Sequence, residues 1–191
     1  MNASASEQLP SGYSIHPGSS LDRSLLVKFM QLSYREIFPE QNFSHLARTV
    51  EQYFSQDTPL WWVIGERREA RGERREDRGI RENNNQLPAT NYQLPITDSP
   101  KKVACLWVGN AVDQVKGDRH TYIFLLYVKP EHRRRGIGKS LMRYLENWAR
   151  AKGDRQIGLQ VFQSNTPALD LYHKLGYQTQ SLWMVKTLEN G

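Results

Sequence analysis

The sequence predicts a layered α+β or α/β domain, one sheet with helices on both faces. Three observations carry that expectation. Candidate strands are grouped early and then alternate with helices. Residues 137–152 repeat apolar side chains at helical spacing, with Ile137, Leu141, Leu145 and Trp148 on one side. Residues 66–97 carry no apolar period at all, so the core pattern is read from the rest of the chain.

In chain order, residues 13–16 read as a short strand. Residues 22–38 read as a helix with Leu25, Leu26, Phe29, Met30 and Ile37 on one side. A second helix follows at 44–54, with Asn42 or Ser44 as its N-cap. Residues 60–65 form a buried strand whose two tryptophans, Trp61 and Trp62, belong to the core. Strands at 102–115 and 121–128 pair through a turn at Lys116, Gly117 and Asp118. After the helix at 137–152 come a strand at 157–162, a short helix at 166–175 ended by Gly176, and a final strand at 177–186.

The stretch set aside is built from two tandem pairs. Residues 66–79 read ERREARG then ERREDRG, and residues 84–97 read NNQLPAT then NYQLPIT. The first pair is almost wholly charged, so its period of seven cannot supply the apolar positions of a coiled coil. The second carries proline. Residues 67–101 are therefore expected to be a disordered insertion in a surface loop. Its arginines are nearly balanced by acids, with seven against five over residues 67–82, so nucleic-acid binding there is disfavoured.

A chain of 191 residues is sized for one domain with an insertion, here residues 13–191 behind a flexible segment at 1–12. The longest apolar run, residues 123–128, is far too short to cross a bilayer. No basic-then-apolar signal opens the chain, and the single cysteine, Cys105, excludes an internal disulfide framework. A cytoplasmic setting is expected. No metal site is expected. The formal net charge of +6 is concentrated, because residues 129–155 hold nine cations and three acids. Such a segment calls for an anionic partner.

The string VKPEHRRRGIGKS at 128–140 names the kind of anion. A strand runs into a proline turn, then Gly136 and Gly138, and the periodic helix starts there. Glycines at that junction let a ligand approach the backbone closely. The first helical N–H groups have no partner within the helix and, with the helix dipole, suit a pyrophosphate. Arg133, Arg134, Arg135 and Lys139 add cations. A Walker loop fails because Arg133 stands at its first glycine position, and a Rossmann loop fails because Leu141 stands at its third.

Arg133-x-x-Gly136-x-Gly138 after a strand resembles motif A of the GNAT acetyltransferase superfamily. Leu159-x-Val161 and Asn165-x-x-Ala168-x-x-Leu171-Tyr172-x-Lys174-x-Gly176-Tyr177 resemble its motif B. One helix and one strand lie between, as the family spacing requires. The resemblance implies a mostly antiparallel sheet splayed open around acetyl-CoA, with two N-terminal helices, and acetyl transfer to a primary amine. It implies that the backbone amides of Arg134, Arg135, Gly136, Ile137, Gly138 and Lys139 hold the pyrophosphate, with Arg133 beside them. Leu126, Tyr127 and Val128 would pair with the pantetheine arm, the Val128 amide facing the acetyl carbonyl. Asn165 would contact the thioester end, and Tyr172 would protonate the leaving thiolate.

The sequence departs from the family at its usual carboxylate. Phe124 and its neighbours Leu125 and Leu126 occupy one such strand position, and Gln160 the other. His120, Tyr122 and Tyr127 are the nearby alternatives, His120 being read as a surface residue beside the turn. The base is unassigned, which keeps open a non-catalytic acyl-CoA-binding module. The two N-terminal helices would wall the acceptor site, with Trp61, Trp62, Trp107 and Tyr127 as candidates to line it and core packing as the alternative for each.

Overall fold

A computed structural model of the chain describes residues 9–65 and 101–188. Strand β1 (Tyr13–Pro17) leads to helices α1 (Arg23–Ile37) and α2 (Leu46–Tyr53), then strands β2 (Leu60–Gly65), β3 (Lys101–Val112) and β4 (Arg119–Val128). Helix α3 (Ile137–Lys152), strand β5 (Ile157–Leu159) and helix α4 (Thr166–Lys174) complete the order. The sheet runs β1-β2-β3-β4-β5, antiparallel except for the last pair. No helix among the described residues is long and apolar enough to cross a membrane.

Strand alternation sends successive side chains to opposite faces, and each face meets helices. Trp62, Cys105, Trp107, Leu125 and Tyr127 pack with Leu26, Phe29, Leu46 and Val50 of α1 and α2. Trp61, Val63, Leu106 and Ile123 pack with Ile137, Leu141, Met142 and Leu145 of α3. The layered α+β architecture expected from the sequence is what the chain adopts. Three local details differ from expectation. Helix α2 starts two residues later than read, with His45 at its N-cap, while Asn42 Oδ1 accepts from the Ser44 amide at 2.8 Å. Leu9, in the segment read as flexible, packs against the α3 side of the core. Residues 178–188 form no strand, and Leu182, Trp183, Met184 and Val185 stand more than two-thirds exposed. A final strand needs a long free edge, and β5 offers three residues.

Two irregularities position the site. β4 carries one extra residue where Trp107 pairs with Leu125 but Val108 pairs with Ile123, leaving Phe124 as a bulge. Gly109 makes room for it, since a Cβ there would come within 2.3 Å of the Phe124 ring. Second, β5 pairs with β4 only through Thr121–Ile157, Tyr122–Gly158 and Ile123–Leu159. Beyond that the two strands part.

The expected repeat insertion lies outside the described residues apart from Lys101, which starts β3. Its flanks are informative, because Gly65 and Lys101 are direct partners in the β2–β3 register. Strand ends so placed can be joined by a two-residue turn. Replacing residues 66–100 by Asn-Gly is therefore expected to leave a folded, soluble chain with an unchanged acetyl-CoA-induced rise in Tm. Loss of either would show that the repeats contribute to the core or the site.

Candidate active site

The loop between β4 and α3 is built in two halves. In the first, backbone bonds close a tight turn: the His132 amide donates to the Lys129 carbonyl at 2.9 Å and the Arg133 amide to the Pro130 carbonyl at 3.1 Å. In the second, Arg134 adopts φ +59° and Gly136 φ +87°. Left-handed positions at alternate residues turn successive N–H groups into one concavity, an anion nest. Among the described residues none of the six amides from 134 to 139 has a backbone acceptor, and the first helical bond runs from the Ser140 amide to the Gly136 carbonyl at 3.0 Å. The sequence needs glycine at 136 for its φ. At 138 a Cβ would sit 3.3 Å from Leu171 Cδ2 on α4, tighter than ordinary contact.

The arginines divide the labour differently from a simple cationic cluster. Arg133 donates from Nη2 to both Glu36 carboxylate oxygens at 2.7 Å and from Nε to the Val128 carbonyl at 2.7 Å. With its amide also engaged, Arg133 braces the loop against α1. Arg135 donates to the Tyr13 hydroxyl at 2.8 Å and to the Glu131 carbonyl at 3.0 Å, bracing the same loop against β1. Arg134 and Lys139 are exposed and have no hydrogen-bond or ion-pair partner among the described residues. They are the cations available to a phosphate.

The strand leading into the loop keeps one edge open. The Lys129 amide donates to the Val103 carbonyl at 2.9 Å, so it faces β3. Alternation then turns the amides of Val128 and Leu126 the other way, toward the side that β5 has left. An extended amide-bearing arm can pair there, and the Val128 N–H can donate to a carbonyl oxygen on that side. Tyr127, between them, faces the opposite way from these amides, and its side chain packs under α1.

Helix α4 closes the other flank. Asn165 is its N-cap, its Oδ1 accepting from the Ala168 amide at 3.4 Å, which leaves the side-chain NH₂ for another partner. Tyr172 follows the Leu171 that touches Gly138. It is 8% exposed, and burial pushes its pKa up to about 12. Tyr177 lies against it, ring centroids 5.7 Å apart.

No Asp or Glu stands on β4 or β5. His120 is not the surface residue its place beside the turn suggested: it is buried under β5, where its Nε2 lies 2.9 Å from where a Gly158 Cβ would be. Its Nδ1 lies 3.3 Å from Gln156 Nε2. Gln160 is exposed just past β5. Carboxylates reach β4 from other elements: Asp154 accepts from the Thr121 hydroxyl, and Glu36 comes from α1. Glu36 accepts from the Tyr127 hydroxyl at 2.8 Å, so burial and this bond both raise the Tyr127 pKa. Glu36 lines a cavity of about 400 Å³ with Leu32, Lys129 and Glu131. The sequence reading missed it, and only tertiary packing brings it there. Trp61, Trp62, Trp107 and Tyr127, the aromatic candidates for the acceptor wall, are at most 6% exposed and belong to the two core layers. Among the described residues no group of three or more His, Cys, Asp or Glu side chains is placed to hold a metal ion.

The chain thus presents a splayed sheet, an amide nest at a helix N-terminus and an open strand edge. The signature of the Acetyltransferase (GNAT) family matches residues 28–177, and the chain belongs to that family. It is 42% identical over 60 residues to thialysine N-epsilon-acetyltransferase of Bos taurus, a match covering 31% of this chain and 35% of that protein. This chain therefore spans about a third of that relative's length. Among solved structures, a predicted acetyltransferase from Clostridium acetobutylicum with acetyl-CoA superposes with a TM-score of 0.60 at 19% identity, covering 92% of this chain and 96% of the other. An aminoglycoside acetyltransferase from an uncultured soil metagenomic sample gives 0.59 at 17% identity, covering 93% and 97%.

Proposed function

We propose that the chain transfers the acetyl group of acetyl-CoA to a primary amine. The observation that carries this reading is the run of six amides at 134–139 without backbone acceptors among the described residues, set at the end of an open strand edge. The nest suits a diphosphate and the edge suits the amide-bearing arm of coenzyme A. Arg134 and Lys139 supply counter-charge, and Asn165 offers its NH₂ near the far end of the arm. A cytoplasmic setting belongs to this reading.

The chemistry asked of the residues is limited. A neutral amine nitrogen forms a bond to the thioester carbonyl carbon, and the carbonyl oxygen gains charge that the Val128 N–H stabilises. The C–S bond then breaks, and Tyr172 gives its phenolic proton to the thiolate. The new amide nitrogen loses its extra proton to water, and the Tyr172 phenolate regains one from solvent. The test is thiol release from acetyl-CoA by the full chain across a panel of amines: peptide N-termini, lysine, small metabolites, a polyamine and an aminoglycoside. Release above amine-free hydrolysis is expected for at least one. Hydrolysis-level release with every amine, alongside a retained acetyl-CoA-induced rise in Tm, would identify a non-catalytic binding module instead.

A further inference from the structure

A further set of aromatic side chains lies on the outside of the α1–α2 core layer, with Tyr34, Phe38 and Phe124 packed against it and the Phe124 ring 4.7 Å from that of Trp107. Tyr34 and Phe38 come from the C-terminal end of α1, and Phe162 from just past β5. The Phe162 ring meets Phe38 edge-on at 5.0 Å and Tyr34 at 6.0 Å between centroids. From the other strand, the bulged Phe124 contacts Tyr122 at 5.6 Å and Tyr53, at the end of α2, at 5.8 Å. Tyr34 belongs to the first group and Tyr122 to the second. Burial raises the pKa of both, and Tyr34 is close enough to raise that of Tyr122 further.

Their position is as informative as their chemistry. Tyr122 pairs with Gly158 in the short β4–β5 ladder, Phe124 is the first residue beyond it, and Phe162 lies three residues past the end of β5. The strip thus flanks the point where the strands part, on the α1–α2 side of the sheet. It is reachable from solvent: Phe162 and Tyr53 are 44% and 46% exposed, and the other four are half-buried. The Tyr34 and Tyr122 hydroxyls have no hydrogen-bond partner among the described residues, and neither is sealed from solvent. None of the six is acidic. Glu36, on the same helix, is turned to Arg133 and Tyr127.

We propose that this strip is the acceptor subsite, and that it selects a single primary amine borne on an aromatic or other apolar body. The inference rests on the acetyl-transfer reading above. Ring faces and edges bury an apolar body, while the two free hydroxyls accept N–H groups of the amine. Apolar walls also disfavour the ammonium form of a bound amine, which supplies the neutral nucleophile without a carboxylate base. A polyamine or aminoglycoside would bring further ammonium groups that the strip has no acid to pair. The closing geometry therefore accounts for the missing base and for the acceptor class together.

The experiment uses the full chain and three acceptors, 2-phenylethylamine, spermidine and kanamycin, in two arms. In the kinetic arm, kcat/KM for 2-phenylethylamine is expected to exceed that for either polycation by at least about tenfold. Phe162→Ala, at an exposed site, should lower it by about tenfold while the KM for acetyl-CoA and the Tm hold. The double variant Tyr34→Phe with Tyr122→Phe keeps the rings and should lower kcat/KM for all amines while sparing binding of the apolar body. Preference for spermidine or kanamycin, or a Phe162→Ala enzyme with unchanged selectivity, overturns the proposal. In the binding arm, calorimetry follows 2-phenylethylamine added to protein saturated with coenzyme A. Were no amine acetylated, so that the acetyl-transfer reading failed, binding that Phe162→Ala abolishes would still support the subsite. Absence of binding would end it.

Discussion

Valine at both Gly136 and Gly138 is expected to abolish the stabilisation that acetyl-CoA confers on the chain. At about 100 times Kd, a ligand that binds only the folded state adds about 2.7 kcal/mol, which for a chain of this length raises Tm by roughly 5–11 °C. Two physical effects remove it in the variant. A β-branched residue at φ +87° pays about 1–3 kcal/mol of backbone strain, which is relieved by abandoning the left-handed turn that aims the amides. A side chain at 138 also starts 3.3 Å from Leu171 and projects into the space beside the helix N-terminus. The apo variant should melt somewhat lower than the parent, so the quantity to compare is the ligand-induced shift within each protein. Arg134→Gly is the matched control. It relaxes a left-handed arginine, keeps the nest and removes one cation, so its shift should shrink without vanishing. A full shift in the double-valine protein would place the phosphates elsewhere.

The contrast between these positions shows what the sequence could and could not disclose. The need for glycine at 136 is local, because a positive φ follows from the chain itself, whereas Gly138 is constrained by Leu171 of α4. Helix α3 was legible to the residue, since a 3.6-residue period and left-handed Gly153 at its end are also local. Arg133 and Arg135 looked equivalent to Arg134, yet two of the three are held by Glu36 and Tyr13, residues about a hundred positions away. Glu36 itself has no sequence signal as a site residue. His120 was misjudged because a turn three residues away says nothing about β5 lying over it. The aromatic candidates for the acceptor wall are core residues, the alternative the sequence had left open for each. Alternation along β3 and β4 places Trp107 and Tyr127 inward, whereas the single-residue bulge that turns Phe124 out of register has no mark in a run of apolar residues. The final strand had strand-like composition, but composition cannot say whether a partner edge exists.

Tyr172→Phe is expected to lower turnover by roughly 10²–10⁴-fold, the usual range for a lost general acid, while leaving the KM for acetyl-CoA nearly constant. The ring supports that separation, since Tyr172 is buried with Ile137 and Leu141 and a phenylalanine keeps those contacts. Burial holds the phenol at a pKa of about 12, so the donor stays protonated throughout the working range and its loss limb falls only above that value. The rising limb is set by the nucleophile. With no Asp or Glu on β4 or β5, the reactive amine is expected to come from its own free-base fraction, which grows with pH up to the amine pKa. The rate should therefore climb through the alkaline range in the parent and in Tyr172→Phe alike, with the variant displaced downward. Single-turnover thiol release, measured by rapid mixing so that product departure does not mask the chemical step, checks both statements. Unaltered turnover in Tyr172→Phe would remove the acid assignment. A plateau reached below neutrality would point to a protein base, and Glu36→Gln would then show whether that base is the carboxylate α1 brings to Tyr127. A rate that falls above about pH 10 would mean that the proton donor is a less buried group than Tyr172.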